Sequence, residues 1–162
     1  MAATRRKKLL ESGATVPAFR LTKLDGGEAT LDDLATAGPV LLAFYKVTCP
    51  VCQLTFPYLE RLSKGGSLPV YAVCQNDPDD ARAFNKEFGV TFPTLFDNED
   101  THFQASNAFG ISSVPTSFLI APGGRIERVI EGWNKRDIEW LGQQAGVQVI
   151  RPTDRVPEQK PG

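Results

Sequence analysis

From Pro39 to Tyr45 the chain reads Pro-Val-Leu-Leu-Ala-Phe-Tyr, an almost unbroken apolar run of strand length. Because the run does not alternate, a strand made from it must be covered on both faces, which places it inside a sheet with helices above and below. Four residues on comes Cys49-Pro50-Val51-Cys52, followed by Leu54, Tyr58, Leu59 and Leu62 at helical spacing until Gly65-Gly66. That spacing predicts a helix, kinked near Pro57. A buried strand therefore feeds a helix N-terminus, and the two cysteines sit at the junction.

The remaining elements fill in around this pair. Phe19 to Leu24 alternates, Asp25-Gly26-Gly27 is turn chemistry, and Glu28 to Leu31 returns, so the chain enters through a hairpin. Leu68 to Cys74 is a second apolar strand. Asp77-Pro78-Asp79-Asp80 then supplies a cap, a first-turn proline and early acids for a helix ending at Gly89. A short strand is expected at Thr94 to Phe96 and a short helix from Thr101 to Phe109. Strands Thr116 to Ile120 and Arg125 to Ile130 flank the turn Pro122-Gly123-Gly124, and Asn134 caps a last helix carrying Ile138, Trp140 and Leu141. The order implies an α/β sandwich around a mixed central sheet. We place the domain at residues 16–146, between a basic N-terminal tail (1–15) and a C-terminal tail (147–162) that is poor in apolar residues and draped on the surface or poorly ordered.

Bulk properties narrow the chemistry. With 18 Lys and Arg against 19 Asp and Glu in 162 residues, the formal net charge of -1 offers no footprint for nucleic acid or an anionic membrane. Arg5-Arg6-Lys7-Lys8 is followed only by Leu9-Leu10 before Glu11, short of the apolar stretch of about 7–15 residues that an export signal needs. No apolar run reaches the roughly 18 residues of a membrane span. A cytoplasmic location is expected, or an exported one if a signal has been removed. Three cysteines are too few for a disulfide-built scaffold, so the close pair points to redox or metal chemistry.

A thiolate, not a thiol, attacks disulfides. At the start of a helix, unpaired N–H groups and the positive end of the dipole favour an anion, which makes Cys49 the nucleophile; Cys52, one turn in and deeper, resolves the mixed disulfide. Pro50 at an early helical position costs no hydrogen bond and stiffens the turn. The same spacing also suits half a zinc site, with Cys74 and His102 completing a Cys3His set, or a bland structural disulfide. Cys74 is either a third redox partner or a core thiol, His102 a packing or surface residue, and Trp133 either core or a frame for the site.

These residues together resemble the thioredoxin-like superfamily, in the branch grouped with the alkyl hydroperoxide reductase and thiol-specific antioxidant proteins. The resemblance covers roughly Val16 to Ala145. It rests on Val16-Pro17-Ala18-Phe19, on the apolar strand leading into Thr48-Cys49-Pro50-Val51-Cys52, on Pro57, and on Gly110-Ile111-Ser112-Ser113-Val114-Pro115-Thr116. It implies a three-layer sandwich with a central mixed β-sheet flanked by helices and an N-terminal β-hairpin extension. It also implies that Pro115 is cis and lies against the cysteines, and that the Val114 backbone pairs with an extended substrate, Thr48 and Pro50 adding contacts. Two features depart from the family pattern. Ala43 and Thr55 stand where relatives carry a buried aspartate or a glutamate, and Thr48 replaces a tryptophan, which leaves Lys46 as the nearest ionisable group in sequence.

The expected activity is thiol-disulfide exchange with protein disulfides or dithiols, by a monomer that uses a recycling reductant and no cofactor or metal. The alternative is a peroxiredoxin, whose thiolate would attack peroxide and become a sulfenic acid. In that pattern a threonine stands three residues before the reactive cysteine, where this chain has Lys46.

Overall fold

A computed structural model describes residues 8–162; of the basic cluster Arg5-Arg6-Lys7-Lys8, the first three residues lie outside them. Strands β1 (Arg20–Lys23), β2 (Glu28–Thr30), β3 (Val40–Tyr45), β4 (Val70–Cys74), β5 (Thr94–Phe96), β6 (Thr116–Ile120) and β7 (Ile126–Glu131) form one sheet in the order β2-β1-β5-β4-β3-β6-β7. β3 lies parallel to β4 and antiparallel to β6, with Leu42 opposite Tyr71 on one side and Phe118 on the other. Every residue of β3 is buried, as an unalternating apolar strand requires. The hairpin forms as expected, Leu21 facing Ala29, and joins the same sheet antiparallel to β5.

The helices are α1 (Leu31–Leu34), α2 (Pro50–Gly65), α3 (Pro78–Phe88), α4 (Gln104–Phe109) and α5 (Lys135–Ala145). Alternation along β3 divides the core between the two sheet faces. On one face Tyr45 meets Phe56 of α2 and Phe84 of α3, at ring separations of 4.3 and 4.9 Å. On the other, Phe44 meets Phe109 of α4 and Phe118 of β6, at 5.1 and 5.9 Å. Each such pair adds about 0.5–1.5 kcal/mol beyond burial of its area. The result is the expected three-layer sandwich. No helix among the described residues is long and apolar enough to cross a membrane.

Several elements differ from expectation, each for a local reason. Thr30 and Asp33 cap each other's backbone, and this reciprocal box nucleates the unexpected α1. The helix expected from Thr101 is a 3-10 turn over Glu99–Thr101 and then α4. His102 and Phe103, both at positive φ, separate the two. Residues 8–15 are no loose tail. Leu9 and Leu10 pack on the core, and Leu10 and Gly13 donate backbone bonds to Phe109 and Ile126 at 3.0 and 2.8 Å. Gly110 admits this segment: a Cβ there would lie 2.1 Å from the Lys8 carbonyl oxygen.

The C-terminal segment is likewise fastened. Val149 and Ile150 are buried, and Arg61 reaches the Val149 carbonyl and Asp154 at 3.1 and 2.6 Å. Strand β9 (Gln159–Lys160) pairs antiparallel with β8 (Trp133–Asn134). Composition gave no sign of this, because two apolar residues and a backbone edge are enough to dock a polar segment.

Candidate active site

Cys49 is the N-cap residue of α2. Its sulfur accepts the Cys52 N–H at 3.2 Å, taking one of the donors that a helix start leaves without an internal partner. Pro50 follows at the first position, where its missing N–H costs nothing. The loop ahead of Cys49 is held from behind. Asn76, just past β4, accepts the Val47 N–H at 2.9 Å, and the Gln53 side chain donates to the Val47 carbonyl at 3.0 Å. Cys49 is partly exposed, whereas Cys52 is fully buried one turn along. Burial, reinforced by the hydrogen bond to Cys49, pushes the Cys52 thiol far above its ordinary range, so it keeps its proton at neutral pH.

Val114-Pro115 is a cis peptide immediately ahead of β6, and the Cys49 thiol donates to the Val114 carbonyl at 3.3 Å. The loop is anchored on both sides: the Thr116 hydroxyl donates to the Ser113 carbonyl at 2.8 Å, and the Gly132 N–H donates to the Pro115 carbonyl at 2.8 Å. Chain segments 65 residues apart in sequence thus meet at one sulfur. Thr48 and Pro50 are both exposed beside Cys49. The six residues named from the sequence as forming the site come together: Thr48, Cys49 and Pro50 reach the surface, while Val114, Pro115 and Cys52 are buried behind them. A cleft of about 270 Å³ opens next to them, lined by Lys46, Gln75, Phe103, Ser106, Ser113 and Val114.

Other candidates fall elsewhere. Ala43 is buried in β3, and the Thr55 hydroxyl donates to the Val51 carbonyl within its own helix at 2.7 Å; neither brings an acid to the pair. Cys74 is fully buried at the end of β4 and accepts the Asn76 N–H at 3.4 Å; burial raises its thiol as well. His102 is exposed on its left-handed turn, away from the buried cysteines. Among the described residues no three His, Cys, Asp or Glu side chains are grouped as metal ligands would be. Trp133 is core: it is 1% exposed, meets the Tyr58 ring at a tilt with centroids 5.1 Å apart, and donates to the Pro157 carbonyl at 2.6 Å. Sequence reading missed Asn76 and Gly132, which support the loops around Cys49. The only available signal was a polar residue and a glycine, each just past the end of a strand.

The arrangement offers a sulfur nucleophile at a helix start, a protonated second thiol behind it and the Val114-Pro115 backbone corner beside the first. The model of the AhpC/TSA family matches residues 12–129. The thiol-disulfide oxidoreductase ResA of Geobacillus thermodenitrificans is 34% identical over 139 residues, which span 82% of this chain and 77% of that protein. ResA of Bacillus subtilis is 32% identical over 130 residues, 78% of this chain and 70% of that one. The thioredoxin domain of a thiol-disulfide oxidoreductase from Bacteroides vulgatus has the same fold, with a TM-score of 0.73 at 21% identity, covering 83% of this chain and 97% of the other.

Proposed function

The chain belongs to the AhpC/TSA family and is a thioredoxin-like thiol-disulfide oxidoreductase, and from that premise we propose that Cys49 and Cys52 are the exchanging pair. One observation carries the assignment. The Cys49 sulfur sits at the α2 cap, accepting a backbone N–H and reaching the Val114 carbonyl, while Cys52 is buried behind it.

In the reductive direction the Cys49 thiolate attacks one sulfur of a protein disulfide. A Cys49–substrate S–S bond forms, the substrate S–S bond breaks, and the first substrate thiolate leaves and takes up a proton. Cys52 then gives up its proton and attacks the Cys49 sulfur, closing the Cys49–Cys52 bond and releasing the second substrate thiolate. Two electrons pass from the pair to the substrate, which ends as a dithiol. Run backwards, the same steps oxidise a substrate dithiol. Val114 offers main-chain polar groups to an extended substrate, and Thr48 and Pro50 form the exposed rim. A dithiol reductant recycles the pair, and the chain works as a monomer.

The peroxidase alternative gains no support from the site, since exposed Lys46 stands where that pattern has a threonine. The test is reduction of insulin-type disulfides. Cys49→Ser should be inactive, and Cys52→Ala should accumulate a mixed disulfide with substrate at Cys49. Full turnover by Cys49→Ser would remove the assignment, and peroxide consumption faster than protein-disulfide reduction would favour the alternative.

A further inference from the structure

The corner at Val114 is not open on every side. Downstream of α5 the chain turns back along α2, where Arg61 clasps Asp154, and crosses Trp133, whose indole N–H holds the Pro157 carbonyl. It then pairs as β9 with β8, Lys160 opposite Trp133, with Lys135 N–H donating to the Glu158 carbonyl at 2.9 Å. Beyond β9 the backbone lies directly on the site. At Gly132 (φ +67°) an added Cβ would stand 2.3 Å from the Lys160 carbonyl oxygen and 3.0 Å from Gly162 N. At Gly162 an added Cβ would stand 2.1 Å from the Val114 carbonyl oxygen and 3.3 Å from Pro115 N. The Val114 oxygen that receives the Cys49 thiol is thus also the one against which Gly162 rests.

A sulfur bonded to Cys49 lies about 2 Å from Sγ. The main chain of a polypeptide carrying that sulfur therefore passes Val114, whose carbonyl oxygen lies 3.3 Å from Sγ and which makes no backbone–backbone hydrogen bond among the described residues. Extended segments bind at such edges by main-chain pairing. Gly162, at the end of the segment 158–162, stands over the carbonyl half of this edge, and all five residues are exposed, so they can lift without opening the core. The cleft bordered by Lys46 and Ser113 flanks Val114 as well, and Cys49 stays partly exposed with the strap in place.

The geometry points to residues 158–162 as a specificity-determining strap. It competes in cis with polypeptide substrates for the Val114 edge and leaves the Cys49 sulfur open to small disulfides. This inference rests on the exchange reading above, and the experiment separates the two. Two variants of the whole 162-residue chain loosen the strap beyond its Pro157 anchor: Lys160→Pro removes the main-chain donor that the β8–β9 register turns toward Trp133, and Gly162→Leu sets a side chain against the Val114 carbonyl. Unchanged unfolding midpoints would show that the fold is intact.

Each variant, fully reduced, is assayed against insulin and against the small disulfide 5,5′-dithiobis(2-nitrobenzoate). Affinity for a site that is open only part of the time falls by the open fraction, so a strap closed about nine-tenths of the time holds polypeptide kcat/KM roughly tenfold down. Both variants should therefore raise kcat/KM for insulin about tenfold and leave the small-disulfide rate within twofold of the original. Unchanged rates for both substrates would overturn the proposal, and so would a fall for insulin alone, which would make the strap a binding wall. If Cys49→Ser still reacted with both disulfides, the exchange reading itself would fall, and the strap proposal with it.

Discussion

Burial of Cys52 has a measurable consequence for stability above neutral pH. An ordinary thiol has a value of 9.0, and in the fold the Cys52 thiol is driven far above it, first by burial and then by its hydrogen bond to Cys49. Raising the folded value of an acid means that the unfolded chain loses its proton first. Stability is therefore unaffected well below pH 9 and declines as pH rises past it. At pH 10 the unfolded thiol is about ten parts ionised to one neutral, while the folded one stays neutral. The penalty is RT ln 11, roughly 1.4 kcal/mol.

Comparing Cys49→Ser with Cys49→Ser/Cys52→Ala isolates this effect, because neither protein can form the Cys49–Cys52 disulfide. At pH 7.5 the double variant should be less stable by on the order of 1 kcal/mol, the packing of one fully buried sulfur. By pH 10 that gap should close or slightly reverse. Urea unfolding at the two pH values, followed by tryptophan fluorescence in a non-thiol reductant, measures it. A gap that stayed constant within about 0.5 kcal/mol would mean that Cys52 ionises as readily folded as unfolded, and the account of a protonated second thiol would be wrong.

Further outcomes follow from the packing. Phe56→Ala removes a fully buried ring that meets Tyr45, Phe84 and Phe92. It should cost about 3–5 kcal/mol and lower Tm by on the order of 10 °C, read by calorimetry. Arg61 holds the Asp154 carboxyl below its ordinary value of 3.8. The stabilisation from that pair is therefore present above this value and is lost as pH falls through the lower folded one. Wild type should exceed Asp154→Asn in urea midpoint near pH 6, and the two should converge on acidification below the ordinary carboxylate range.

How much was legible in the chain divides by the range of the interactions. Local patterns were enough for β3, for α2 with its cap at Cys49, for α3 behind Asp77-Pro78 and for the β6–β7 pair, since each depends on apolar spacing, caps and turn residues close in sequence. The candidate site was legible for the same reason: a thiol at a strand-to-helix junction is a local arrangement, and Val114-Pro115 was reached through family resemblance. What the sequence by itself determined was that a sandwich would form and where its reactive sulfur would lie. Only the tertiary structure decided what surrounds that sulfur. Asn76 under the Val47 loop, Gly132 behind Pro115, and Gly162 at the end of the 158–162 strap against Val114 are contacts between residues far apart in the chain. They are made largely by backbone atoms, which every residue carries alike, so side-chain composition held no record of them.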